Sequence, residues 1–225
     1  MHDAADRAGP DAPADRPDTT GEHYFTARPA SPAERRTLTV WLADREVTVE
    51  TAGGVFSSFR LDQGTRALLG VVPPPPDTGD LLDLGCGWGP IALTMALRSP
   101  AATVWAIDVN ERALDLVRRN AQRLGLGNIR AVTPDEVPDD VALAAIWSNP
   151  PIRVGKETLH AMLAHWLGRL APGAQAHLVV QRNLGADSLQ RWLADELGAA
   201  ATVTRADTVK GFRVLRVEAS GPAAS

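Results

Sequence analysis

The chain has 225 residues, 44% hydrophobic and 22% charged, so at roughly 150 residues per domain it forms one large or two small globular units. A net charge of −4 gives no overall basic footprint for tight binding to naked nucleic acid. No run approaches the roughly 18 apolar residues of a membrane span, the single cysteine Cys86 excludes an internal disulfide, and the five histidines lack the paired spacing of a metal site.

Residues 1–36 are acidic and Pro-rich without apolar periodicity, and read as a flexible tail. Their start has no apolar segment of the secretory type, so a cytoplasmic location is expected. His23-Tyr24-Phe25, the one aromatic cluster there, is expected to dock, leaving 22–36 partly ordered. From Thr37 the alternation of Leu38, Val40 and Leu42, repeated at Val47 and Val49, predicts a β-hairpin. Gly53-Gly54 ends it, and a short helix is expected near 66–69. The prolines 73–76 form a stiff linker that divides a 37–76 extension from a 77–218 domain.

Beyond Gly79 strands and helices alternate. Strands are expected at 81–84, 103–107, 129–132, 142–147 and 177–181. Helices are expected at 90–97, 111–124, 156–170 (stopped by Pro172-Gly173) and 188–197. This order implies right-handed βαβ units and a mainly parallel α/β sheet. Two last strands, 201–204 and 212–217, read as an antiparallel hairpin at the sheet edge, and 219–225 as a disordered C-terminus.

Three places carry chemistry. Leu81 to Pro90 is a strand running through Gly85, Gly87 and Gly89 into a helix; glycines let the backbone turn sharply and approach a ligand. The Gly-x-Gly-x-Gly spacing differs from the dinucleotide fingerprint, and Asp83 before it suits a cationic ligand better than a pyrophosphate. Asp108 falls at the end of the next strand, where an acid accepts ribose hydroxyl hydrogens; Asn110 reads first as a helix N-cap. Asn149-Pro150-Pro151-Ile152 follows the fourth strand. Its prolines remove two N–H donors and fix the carbonyls, so Asn149 and the Pro150 carbonyl form an acceptor-rich place for an –NH2 group.

Together, Asp83-Leu84-Gly85-Cys86-Gly87-Trp88-Gly89, Asp108 and Asn149-Pro150-Pro151-Ile152 resemble the class I S-adenosylmethionine-dependent methyltransferases. The match is to the small-domain family that includes ribosomal RNA guanine-N2 methyltransferases. Gly54-Val55-Phe56-Ser57, Asp62 to Thr65, Asn149 to Lys156 and Gly211 to Leu215 follow that family's order, over residues 22–217. The resemblance implies a Rossmann-like seven-stranded sheet with its last strand antiparallel, preceded here by the hairpin. It implies S-adenosylmethionine as cofactor, held by Asp83, Gly85, Cys86, Gly87, Gly89, Asp108 and Val109. Asp135 would take the adenine, and Phe56, Gly64, Thr65 and Asn149 the open side. The reaction implied is methylation of an exocyclic amine at Asn149, Pro150, Pro151 and Ile152.

A ribosomal RNA substrate follows from the resemblance. A protein glutamine, a small molecule, or cofactor binding without activity stand as alternatives. A monomer is favoured, with no metal and no membrane. Ile152 offers a base only an aliphatic face, with Trp88 and Trp147 as substitutes, Trp147 reading first as a buried core residue. The cations include 21 Arg but only Lys156 and Lys210; Lys156, with Arg153 and with His160 at i+4, is expected at the substrate. Arg112, Arg118, Arg119 and Arg123 make one helix face basic, a solvated face by default.

Overall fold

The structure, a computed structural model, describes residues 34–221. The readings made for 1–33, the His23-Tyr24-Phe25 cluster among them, and for 222–225 lie outside the described residues.

Alternating apolar residues at Val40, Leu42, Val47 and Val49 bury one face of a hairpin formed by β1 (Arg35–Leu42) and β2 (Arg45–Ala52). Ala43 and Asp44 make its two-residue turn with positive φ at both positions, the geometry that matches strand twist. The hairpin is not a separate unit: its buried residues share a core with Val55, Leu61, Trp88 and Leu93, and with Ala113 and Leu116 of α3 (Glu111–Arg123). The division of the chain near residue 76 is therefore a connection within one packed body.

The main sheet has seven strands in the order β5-β4-β3-β6-β7-β9-β8. Its strands are β3 (Asp80–Leu84), β4 (Thr103–Ile107), β5 (Ile129–Val132), β6 (Leu143–Ser148), β7 (Leu170–Gln181), β8 (Ala201–Val209) and β9 (Phe212–Ala219). All pairings are parallel except those of β9, which runs antiparallel to both β7 and β8. The last strand thus lies inside the sheet and β8 forms the edge. Lys210 and Gly211, both at positive φ, join them, which accounts for Lys210 as a turn residue.

Helices cover both faces. α1 (Gln63–Leu69), α2 (Pro90–Arg98) and α3 pack one side with Leu81, Val104, Trp147 and Val214. α4 (Lys156–Leu167) and α5 (Ala186–Leu197) pack the other with Leu82, Leu84, Ile146 and Leu178. The period-2 alternation of β3 separates Leu81 and Asp83 from Leu82 and Leu84. It sends Asp83 toward α2.

Several boundaries differ from expectation: β1 begins at Arg35, inside the segment read as tail, and β9 runs to Ala219, the first residue read as disordered C-terminus. α4 ends at Leu167, where the Gly168 N–H caps the carbonyls of Ala164 and Trp166. Pro172-Gly173 then falls within β7, where the register against β6 shifts; Pro lacks the ladder donor and is tolerated at such an irregularity. β8 continues to Val209 although Arg205 to Thr208 show no apolar alternation and are all exposed, because its backbone pairing with β9 resumes past a register shift between Arg205 and Asp207.

Candidate active site

Three loops meet at the carboxyl ends of β3, β4 and β6, where the strand order reverses on either side of β3 and open α/β sheets bind ligands. After β3, Gly85, Gly87 and Gly89 have φ of 77°, 55° and 95°. A Cβ on Gly89 would stand 3.0 Å from Val117 of α3, so the third glycine brings loop and helix together. Asp108, after β4, holds this loop from the side: its carboxylate accepts from the Gly87 N–H (3.0 Å) and the Asn110 N–H (2.9 Å).

Asp83 is wholly buried beneath the loop. Its Oδ2 accepts from the Ala92 N–H (2.9 Å) in the first turn of α2, a helix whose N-cap, Gly89, has no side chain to do so. Its Oδ1 has no partner among the described residues. Burial pushes Asp83 up to about 8, the Ala92 N–H opposes the rise and nearby Asp108 adds to it. Burial also raises Asp108, against its backbone donors. The Cys86 thiol is buried and pushed up by desolvation and by both carboxylates, so it stays protonated and is no nucleophile.

Asn149 follows β6. Its Nδ2 lies 2.8 Å from Asp62 Oδ2 and 3.1 Å from Thr65 Oγ1. Asp62 is also the N-cap of α1, accepting from the Thr65 N–H at 3.0 Å. Gly64 fits this junction because a Cβ there would meet Asp62 Oδ2 at 3.0 Å, Phe212 at 3.1 Å and Asn149 Nδ2 at 3.4 Å. The Pro150 carbonyl accepts from the Ile152 N–H (2.9 Å), which leaves one lone pair. Pro151 Cδ lies 3.6 Å from the Cβ position of Gly85, so the two loops touch.

One narrow cleft is lined by Phe56, Ser57, Asp62, Thr65, Gly85 to Trp88, Pro90, Ile91 and Asn149. Of the residues read from the sequence, Phe56, Thr65, Gly85, Cys86, Gly87 and Asn149 are brought together there. Gly64, Asp83, Gly89 and Asp108 support it from behind, while Val109 stands exposed beside Asp108. Asp135 is exposed in the 134–136 turn after β5, its carboxyl lowered by the Thr133 hydroxyl. Arg153 and Lys156 are exposed around the start of α4. His160 instead stacks on Trp192 of α5 with ring centroids 3.6 Å apart, and desolvation lowers it, with Lys156 adding to the effect. A shallow open hollow of about 530 Å³ between α5 and β8 is lined by none of these residues.

One expectation is corrected. Trp88 offers no face to a base: it is 2% exposed and its indole N–H donates to the Ser57 carbonyl (3.3 Å). Trp147, at 1%, is core, as expected. The basic face of α3 is a solvated one, as expected: Arg118, Arg119 and Arg123 are exposed, Arg119 and Arg123 pairing at the surface with Asp115 and Glu50, while Arg118 donates to the Ala131 carbonyl and half-buried Arg112 to the Gly53 carbonyl. Asn110 caps α3 as expected and also donates to the Gly54 carbonyl (2.9 Å). Asp62 was missed among the site residues. Its signal was its place three residues before Thr65 at a helix start.

Residues 46–216 match the methyltransferase small domain family. The chain belongs to that family. Its cofactor is S-adenosylmethionine, whose cationic sulfonium and ammonium suit a loop backed by two acidic side chains, Asp108 and Asp83; burial holds Asp83 protonated in the cofactor-free protein, and a cation beside it would favour its ionisation. The chain is 32% identical over 200 residues to the uncharacterized Bacillus subtilis protein YbxB, covering 88% of this chain and 98% of that one. It is 36% identical over 179 residues to ribosomal RNA small subunit methyltransferase C of Pseudomonas aeruginosa, covering 77% of this chain and 51% of the relative. The chain thus spans about half the length of such relatives. The 16S rRNA N2 methyltransferase of Thermus thermophilus, solved with AdoMet and guanosine, superposes with a TM-score of 0.72 at 22% identity, over 84% of this chain and 51% of that one. Among the described residues, no helix is long and apolar enough to cross a membrane and no group of three metal-ligating side chains occurs.

Proposed function

We propose that this chain transfers a methyl group to an exocyclic amine of a ribosomal RNA base, guanine N2 being the first candidate. The observation that carries the reading is that Asn149 shares one cleft with the glycine loop, so an amine held by Asn149 lies beside the cofactor's place. Similarity to the ribosomal RNA methyltransferases C supports the substrate class.

Gly85 to Gly89, Asp83, Asp108 and Asp135 would hold S-adenosylmethionine, which would supply an electrophilic methyl group and leave as the neutral thioether, the methylated amine losing one proton to water. The chain's own residues do the rest. An aryl amine is a weak nucleophile because its lone pair is delocalised into the ring. Asn149 Oδ1 and the free lone pair of the Pro150 carbonyl accept its two hydrogens. This draws the nitrogen toward tetrahedral geometry, aims its lone pair and stabilises the charge that develops on it. Phe56, 44% exposed on the cleft, offers the ring that Ile152 lacks. Lys156 sits in the first turn of α4, where a cation opposes the helix dipole and costs stability. A contact to a substrate phosphate explains it better than the fold does, with Arg153 beside it.

The test is Asn149→Ala. Cofactor affinity by calorimetry should stay within about twofold while methyl transfer falls by about 100-fold or more. Labelled cofactor offered with undermethylated small subunits, naked ribosomal RNA, tRNA and release factor in separate reactions identifies the acceptor. Full activity in the variant, or transfer to release factor alone, overturns the reading.

A further inference from the structure

Asn149 can serve an amine only if its amide is turned with the oxygen toward the substrate. An amide presents an acceptor on one side and two donors on the other, and the two arrangements differ by a simple flip. Asp62 and Thr65 decide between them. Asp62 Oδ2, 2.8 Å from the amide, already accepts from the Thr65 N–H at 3.0 Å and is an acceptor-only group when ionised. A carbonyl oxygen facing it at that distance would be repelled, so the Nδ2 must face it. The second Nδ2 hydrogen is taken by Thr65 Oγ1 at 3.1 Å. Both donors of Asn149 are then consumed, and only Oδ1 remains.

We infer that Asp62, with Thr65, is a positioning residue that locks the Asn149 amide as a pure hydrogen-bond acceptor, and so admits a hydrogen-donating nitrogen and rejects a carbonyl oxygen. This rests on the proposed reaction. The lock is also economical in sequence: one carboxylate caps α1, orients the amide, and leaves room only for Gly64 between them. It explains why a short helix of 63–69, far from Asn149 in the chain, borders the reaction site.

A capping role alone and an orienting role predict different orders among variants. Ser and Asn cap helices about as well as Asp, but the Ser hydroxyl is too short to reach both the Thr65 N–H and Asn149, whereas Asn keeps an acceptor at the same reach. The expected order of kcat on undermethylated small subunits is therefore parent, then Asp62→Asn, then Asp62→Ser together with Asp62→Ala, the last two down at least tenfold. The expected order of Tm sets only Asp62→Ala apart. Cofactor affinity by calorimetry stays within about twofold, and Asp62→Ser adds no loss to Asn149→Ala. In side-chain amide NMR of the cofactor-free protein, the Asn149 NH2 pair, assigned by its disappearance in Asn149→Ala, shifts and exchanges faster with water in Asp62→Ser. Parent kcat in Asp62→Ser, kcat and Tm falling in the same order, or an unchanged NH2 pair overturns the inference. Parent activity in Asn149→Ala overturns the proposed reaction instead, and the NH2 pair still judges the lock.

Discussion

Gly64 shows how little room the site leaves for a single atom. A methyl there would stand 3.0 Å from the Asp62 carboxylate and 3.1 Å from the Phe212 ring, tighter than most real Cβ contacts, and the carboxylate cannot give way without loosening its hold on Asn149. Gly64→Ala should cost about 1–3 kcal/mol by overpacking, read as a lower Tm, and should lower kcat more than cofactor affinity. An unchanged kcat would mean that the junction relaxes elsewhere. Several residues were legible from type and spacing alone: a carboxylate before three glycines, an acid ending the next strand, an Asn before two prolines. Asp62 was not, since in the sequence it is a good N-cap like many others, and its second partner lies 87 residues away. Nor was Trp88, whose indole looks available in the sequence but is covered by a loop 31 residues earlier.

Among the elements, the hairpin bears on the site through one buried side chain. Asn120 of α3 accepts from the Glu50 N–H (2.6 Å) and donates to the carbonyls of Glu50 and Trp88 (3.0 Å each), tying β2, α3 and the glycine loop together. Asn110 and Arg112 add bonds to the carbonyls of Gly54 and Gly53 just beyond the hairpin. Asn120→Ala leaves buried backbone groups of Glu50 and Trp88 unpaired, at about 1–3 kcal/mol for each unsatisfied group. The expected result is a Tm lower by several degrees with weaker cofactor binding; a lower Tm with parent affinity would show that the hairpin only stabilises. The hairpin and most strand and helix cores were readable from periodicity. The end of α4 and the length of β7 were not, because Gly168 stops the helix before its apolar spacing runs out, and the sheet then recruits Pro172-Gly173 as an irregularity.

For the molecule as a whole, two buried groups give stability an opposing dependence on pH. His177 of β7 is 3% exposed, its Nδ1 has no partner, and desolvation, with Arg216 adding, lowers it to about 4. Between about 6.5 and 4 the unfolded chain therefore binds more protons than the folded one, and stability falls as pH falls. Asp83, raised to about 8 by burial, does the reverse: between about 4 and 8 the folded chain holds the extra proton, so stability falls as pH rises. Below about 6.5 the two offset each other; above it Asp83 acts without His177. Tm measured against pH for the cofactor-free protein should fall between 6.5 and 8. That slope should be shallower in Asp83→Asn, and His177→Leu should retain more of its Tm from pH 6.5 down to 4. An unchanged basic-side slope in Asp83→Asn would mean that Asp83 stays ionised in the folded chain. Sequence by itself determined the α/β alternation, the hairpin, the three loops that carry chemistry and the family, because these depend on local periodicity and on residue types that few backbones tolerate. Only the tertiary structure decided which way the Asn149 amide faces, that Trp88 is buried under the Ser57 loop, and that His160 lies on Trp192. Those facts depend on which groups meet across tens of residues, and hydrogen-bond partners and burial are set by packing rather than by neighbours in the chain.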